Sequence, residues 1–157
     1  GERPLHGRAR GRHGGGMVAQ LLIGSGLTIL CVVVSGLSFW VSEVAIDRHR
    51  DRLRRLPRPL RLLAVAGATA VLVLAVLTFG VWTWTVAFLL LGLFPHFEEA
   101  LYFGLVTYTT LGFGDILPPR EWRILGAMAA ANGFINIGLL TALLLEGLRA
   151  IREAERR

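Results

Sequence analysis

Three residue types are scarce or absent in this sequence of 157 residues, which has no lysine, one cysteine and four histidines. Cys31 stands alone, so no disulfide can form within the chain, and its place in an apolar run favours a small buried side chain. The histidines lack the spacing of a metal site; they are His6, His13, His49 and His96. We therefore expect no histidine metal centre, and with no catalytic constellation we expect no enzymatic activity.

Negative charge is also scarce, since 11 acidic residues stand against 17 arginines and the net charge is +6. The hydrophobic fraction is 54%, which is high for a soluble domain and favours a membrane protein. The arginines cluster beside the apolar segments, where membrane topology and anionic lipid explain them better than nucleic acid does. We expect membrane lipids as partners, with anionic lipid at an arginine-rich loop, and no nucleic acid.

Three apolar segments, 17–46, 62–94 and 121–152, are long enough to cross a membrane. Each exceeds the roughly 20 residues that a spanning helix needs. A cleaved signal peptide is the alternative for the first segment, but that segment is much longer than the roughly 7–15 apolar residues of such a leader. The predicted fold class is an all-α membrane protein with three transmembrane helices, of which 17–46 is a peripheral one.

Polar segments flank these helices. Residues 1–16 are rich in glycine and arginine and are predicted to be disordered, 47–61 form a basic loop, and 153–157 form a charged tail. The arginines of the loop lie outside an apolar span and lack the spacing of a voltage sensor. Their excess predicts that loop and tail are cytoplasmic. Three spans then place the N-terminus outside the cell, although its own arginines favour the cytoplasmic side. The sequence therefore leaves the side of the N-terminus undecided.

A short segment, 97–109, lies between the second and third spans. Pro95 precedes it, and Glu98 and Glu99 fall in its first turn, which favours acids at a helix N-terminus. The segment is too short to cross a membrane. It therefore predicts a re-entrant helix whose C-terminal end is directed at the residues that follow.

Those residues, 110–115, read Thr-Leu-Gly-Phe-Gly-Asp. Gly112 and Gly114 adopt positive φ without steric penalty, and alternating handedness turns successive carbonyls to one side. Stacked rings of such carbonyls replace the hydration shell of a cation, and irregular backbone at membrane depth is tolerated where it lines a wet pore. One chain supplies a single such strand, so a closed ring of identical subunits is needed, and four are expected.

The run Thr110–Asp115 resembles the selectivity filter of potassium channels, whose usual form is T-V-G-Y-G-D; Leu111 replaces the valine and Phe113 the tyrosine. Residues 133–142, Gly-Phe-Ile-Asn-Ile-Gly-Leu-Leu-Thr-Ala, resemble the pore-lining helix of bacterial two-transmembrane potassium channels. The resemblance leaves the first span outside. It implies a pore domain over 62–152, with an outer helix 62–94, a pore helix 97–109, a filter 110–115 and an inner helix 121–152.

The resemblance also implies particular sites in a homotetramer of a bacterial inner membrane. Potassium ions would bind the filter residues Thr110, Leu111, Gly112, Phe113 and Gly114, with Asp115 at the outer mouth. Val106 stands where some members carry a glutamate that pairs with the aspartate, so Asp115 needs another partner or faces water. The candidates for cavity and gating roles are Asn132, Gly133, Asn136, Gly138 and Thr141.

Several alternatives remain at this point. Gly133 is either a hinge or a close-packing position, and Asn132 and Asn136 either see ions or bond a neighbouring subunit. The expected function is a potassium-selective channel that conducts passively. Because Phe113 has no hydroxyl group, a weakly selective cation channel is an alternative, and so is a non-conducting membrane assembly or regulatory subunit with the same fold.

Overall fold

The computed structural model describes residues 12–49 and 56–156, which form helices and connecting turns with no strand. The helices are α1 (Arg12–Arg48), α2 (Arg58–Leu90), α3 (Phe97–Tyr108), a 3-10 turn (Arg120–Trp122) and α4 (Arg123–Arg156). Three stretches are long and apolar enough to cross a membrane, namely Gly16–Ala45, Pro59–Leu90 and Arg120–Ala142. The predicted class, an all-α membrane protein with three spanning helices, is confirmed.

The ends of the first two spans differ from the sequence-based bounds. Helix α1 begins at Arg12 rather than at residue 17, because extending an existing helix adds hydrogen bonds without a new nucleation cost. Helix α2 begins at Arg58 rather than at 62; Pro59 lies in its first turn, where a missing N–H removes no hydrogen bond. Residues 1–11 and 50–55 of the predicted disordered head and basic loop lie outside the described residues.

The C-terminal end of α2 is set by a glycine. We expected this helix to reach Phe94, before Pro95, but it ends at Leu90. Gly92 has φ 69°, its N–H donates to the Leu89 carbonyl at 2.9 Å, and the Leu93 N–H donates to the Phe88 carbonyl at 3.0 Å. This pair of bonds is the Schellman arrangement, which satisfies the last carbonyls and turns the chain.

The last helix is longer than expected at one end and shorter at the other. Helix α4 starts at Arg123, after the 3-10 turn, rather than at 121, and continues to Arg156. The predicted charged tail, 153–157, is thus mostly a continuation of this helix. Charged residues such as arginine and glutamate are good helix formers, so the loss of apolar character does not end the helix.

Helix α3 packs in the centre of the chain. Phe103 of α3 meets Phe88 of α2 and Phe94 of the connecting turn, with ring centroids 5.3 Å and 5.1 Å apart. Tyr108 of α3 and Trp84 of α2 are fully buried in the same cluster. Aromatic pairs at such distances add to the stabilisation from burial, so the short helix is held rigidly between the spans.

Helix α1 packs mainly on α4 rather than on α2. The buried side chain of Gln20 accepts a hydrogen bond from the Leu125 N–H at 3.2 Å and donates one to the Glu121 carbonyl. A second buried side chain, Ser35, donates to Asn136 of α4. A helix N-terminus leaves four N–H groups without helical partners, and Gln20 satisfies one of them at the start of α4.

The candidate ion pathway

The chain leaves α3 by folding back beside it. Thr109 ends the helix, with its N–H donating to the Leu105 carbonyl at 3.0 Å, and the Thr110 N–H donates to the Thr107 carbonyl at 3.0 Å. The Gly112 N–H then donates to the Val106 carbonyl at 3.1 Å. These bonds use the carbonyls that the helix end leaves open and fix the first part of residues 110–115 against α3. We call this non-helical segment the filter strand, although it pairs with no other strand among the described residues.

Every second residue of this strand has a left-handed backbone. The φ angles are 61° at Thr110, 59° at Gly112 and 75° at Gly114. The alternation at the two glycines agrees with the sequence-based expectation, because glycine has no Cβ to clash there. Thr110 is a finding that the sequence did not indicate, since a β-branched side chain is disfavoured at positive φ. Strain of this kind clusters at functional sites.

The side chains of the strand are uncovered in the single chain. Leu111 is 59% exposed and Phe113 is 66% exposed, and Thr110, Gly112 and Gly114 are exposed as well. A strand of this kind at membrane depth needs surrounding protein or a wet pore. The described residues of one chain supply only the α3 side of that surrounding.

Asp115 has a partner that the sequence did not identify. The Tyr102 hydroxyl, on α3, donates to Asp115 Oδ2 at 2.6 Å. This hydrogen bond lowers the pKa of Asp115 below its ordinary value, because it stabilises the carboxylate, and it raises the pKa of Tyr102. Val106, which cannot play this part, is buried. The side chain that braces the end of the strand is therefore an aromatic residue one turn earlier on α3.

Acidic groups collect at the same end of the strand. A cavity of about 510 Å³ lies beside Asp115 and is lined by Glu98, Glu99, Tyr102 and His96. Three carboxylates around one opening produce a negative local potential, which raises the local concentration of cations. The first turn of α3 and the end of the filter strand thus line one acidic cavity, and the sequence analysis placed only Asp115 of this group at an outer mouth.

Gly133 lies against the end of α3. A Cβ at this position would overlap the carbonyl group of Tyr108. Of the two roles left open by the sequence, the structure therefore gives Gly133 a close-packing contact, made with the last residue of α3. Any hinge role remains a prediction.

Asn132 and Asn136 are not at an open cavity surface. Both are fully buried, and the Asn136 amide donates to Asn132 Oδ1 at 2.7 Å while Asn136 accepts from Ser35 of α1. Contact with ions and a bond to a neighbouring subunit, the two roles that the sequence left open for them, stay predictions. For Asn136, α1 supplies a polar partner within the same chain, Ser35, which the resemblance, limited to the pore domain, did not include.

Gly138 and Thr141 lie on the opposite side of α4 and are exposed. The Thr141 hydroxyl donates to the Ile137 carbonyl at 2.8 Å. Phe134, which the sequence analysis did not single out, is 70% exposed. It lies on the same side of α4, because residues spaced by three, four and seven share a helix face. This face of α4 is therefore left uncovered by the described residues of the single chain.

Comparison with known proteins agrees with this geometry. A family model described as "Ion channel" matches residues 68–150, which include most of α2, all of α3, the filter strand and most of α4. No curated protein and no solved structure gives a significant match. Helix α1 lies outside the match, as the sequence resemblance indicated. The match covers more than half of the 157 residues, and the chain therefore belongs to the ion channel family.

Proposed function

We propose that this ion channel is selective for potassium, that four copies of the chain form its pore, and that it conducts passively through the inner membrane of a bacterium. The observation that carries the proposal is the alternation of positive φ at Thr110, Gly112 and Gly114. Four such strands around an axis would direct backbone oxygens from 110–114 inward. These oxygens, with the Thr110 hydroxyl, would replace the water around K⁺.

The helix before the strand supports the same function. The C-terminal end of a helix carries the equivalent of about half a negative charge, and α3 ends directly before the strand. In a fourfold ring, four helix ends would stabilise a cation below the filter. Asp115 would stay at the outer mouth, where its bond to Tyr102 holds the end of the strand.

The tetramer is supported by what one chain leaves exposed. Leu111 and Phe113 are apolar and mostly exposed, and a strand that lines a pore cannot present such side chains to the ions. Neighbouring copies of α3 and α4 would cover them. Most oligomers of identical subunits have closed symmetry. A closed ring of this kind would build a complete filter from one strand per chain.

A weakly selective cation channel is the second candidate, and Phe113 is the observation that favours it. The side chain has no hydroxyl group, so no hydrogen bond from it holds the width of the filter. Within the described part of the chain, Tyr102 donates a side-chain hydrogen bond to Asp115, which lies at the end of the strand and not at Phe113.

Flux from purified protein in liposomes tests these possibilities. We expect K⁺ uptake well above Na⁺ uptake for the wild type and loss of K⁺ uptake in Gly112→Ala, because a Cβ at φ 59° costs roughly 1–2 kcal/mol in each subunit. Gly67→Ala is the control, since that glycine lies in α2 with nothing near its added methyl. Equal K⁺ and Na⁺ uptake would favour the weakly selective channel, and no uptake would favour the non-conducting assembly.

A further inference from the structure

A groove runs between α1 and α2 at the end of the bundle where these two helices are joined. Its volume is about 330 Å³. One wall is formed by Val41, Ala45 and His49 of α1, and the other includes Ala64 and Ala68 of α2. The small side chains on both walls leave the space between the helices unfilled. We call this space the α1–α2 groove.

The surface of the groove is apolar although two hydroxyl residues line it. The Ser42 hydroxyl donates to the Phe39 carbonyl at 2.7 Å, and the Thr69 hydroxyl donates to the Val65 carbonyl at 2.9 Å. Both hydroxyls therefore bond the backbone of their own helix and leave carbon atoms on the groove side. Ser42 and Thr69 lie within the spans Gly16–Ala45 and Pro59–Leu90, so most of the groove is at membrane depth and open to hydrocarbon.

The two walls of the groove end in basic residues. Arg48 follows Ala45 by three positions on α1, and Arg61 precedes Ala64 by three positions on α2, so each shares the groove face of its helix one turn further out. His49 lines the groove itself, and its Nδ1 donates to the Ala45 carbonyl at 2.9 Å. This bond engages Nδ1 and not Nε2 of the ring.

We infer that the α1–α2 groove binds an anionic phospholipid of the adjoining leaflet, with an acyl chain between the helices and the phosphate at Arg48, His49 and Arg61. Charge complementarity selects this occupant. An apolar cleft at membrane depth is filled by a lipid chain, and basic groups at its mouth favour an anionic head over a zwitterionic one. Helix α1 builds half of the groove, so the site is separate from the ion pathway and does not depend on ion selectivity.

The number of lipid molecules that the purified full-length protein retains tests this site. The protein is incubated with equal amounts of phosphatidylglycerol and phosphatidylcholine in detergent, and retained lipids are counted by native mass spectrometry. We expect phosphatidylglycerol to be retained in preference, and its apparent affinity to fall roughly fivefold for each arginine removed in Arg48→Gln and Arg61→Gln. Arg120→Gln, at the other end of the spans, is the matched control and should change nothing.

A second pair of variants tests the groove itself. Ala68→Trp fills the space and should abolish preferential retention, whereas Ala70→Trp, on the opposite face of α2, should not. Equal retention of the two lipids by the wild type would overturn the proposal, and so would unchanged retention in the double arginine variant, which does not alter packing. A changed number of chains per assembly in Ala68→Trp with unchanged lipid binding would assign the groove to a neighbouring subunit and also overturn it.

Discussion

Thr110, Gly112 and Gly114 show how single residues define the candidate filter. The two glycines were recognisable from sequence because they tolerate positive φ. The positive φ of Thr110, 61°, was not recognisable, because threonine does not favour that conformation. The hydrogen bonds from the Thr110 and Gly112 N–H groups to α3 hold it in place. The partner of Asp115 was not identified either, because Tyr102 lies 13 residues away and spacing alone does not show which polar group its hydroxyl reaches.

Gly133 provides a prediction at this scale. Gly133→Ala should destabilise the assembly and reduce K⁺ flux, because the new methyl overlaps the Tyr108 carbonyl and overpacking of this kind costs about 1–3 kcal/mol in each chain. Thermal unfolding in detergent and liposome flux measure the two effects. Gly67→Ala is the control, since its methyl meets open space on α2. Wild-type stability with altered gating would instead favour a hinge.

Tyr102 provides a prediction on pH. Its hydrogen bond lowers the pKa of Asp115, so the bond contributes fully above the ordinary pKa of 3.8 and is lost as the pH falls through the lowered value. Tyr102→Phe should raise that pKa, and external acid should therefore reduce K⁺ current at a higher pH than in the wild type. Asp115→Asn should remove this acid dependence. Identical acid midpoints for the wild type and Tyr102→Phe would show that the bond is absent in the assembled pore.

At the scale of elements, the long apolar runs and the short acidic-started helix were predictable because length and hydrophobicity decide them. The residues at which the helices begin and end were harder to predict. Helix α2 accommodates Pro59 in its first turn, and Gly92 ends this helix before Pro95. The pairing of α1 with α4 could not be derived from periodicity. Gln20 and Ser35 were the available signal, because polar residues within a span face protein.

The attachment of α1 to α4 is testable through Gln20. Gln20→Leu leaves the buried Leu125 N–H without its partner, and an unsatisfied buried donor costs about 1–3 kcal/mol. We expect a lower midpoint of thermal unfolding and a similar effect for Ser35→Ala. Ser38→Ala is the matched control, because the Ser38 hydroxyl bonds only the Val34 carbonyl of its own helix. Unchanged midpoints for the first two variants would mean that α1 packs elsewhere in the membrane.

The fold class of the whole molecule could be predicted from the sequence, but the packing of its helices could not. The filter motif and the inner-helix pattern indicated an ion channel, and the family match over 68–150 agrees. Asn132 and Asn136 were named as cavity or gating candidates because polar residues inside a span usually face a bundle interior or a wet cavity. In this chain Ser35 of α1 contacts that face, and the exposed face of α4 is the one that carries Phe134 and Thr141.

Fourfold assembly is the prediction at this scale. One filter strand per chain and the exposed Leu111 and Phe113 side chains require neighbouring copies. Native mass spectrometry of the detergent-purified protein should give four chains for each particle, apart from bound lipid. Leu111→Asp should weaken this assembly, whereas Leu63→Asn, at a 70% exposed position on the first turns of α2, should not. A uniform dimer or trimer would contradict a fourfold pore.

The most direct test of the central claim is the reversal potential of single channels in a planar bilayer, with K⁺ on one side and Na⁺ on the other. If residues 110–114 form a potassium filter, the current of the wild-type channel should reverse close to the potential set by K⁺ alone, and Gly112→Ala should pass no K⁺ current although it assembles. A reversal potential near zero, or K⁺-selective current through Gly112→Ala, would contradict the assignment of this strand as the selective part of the pore.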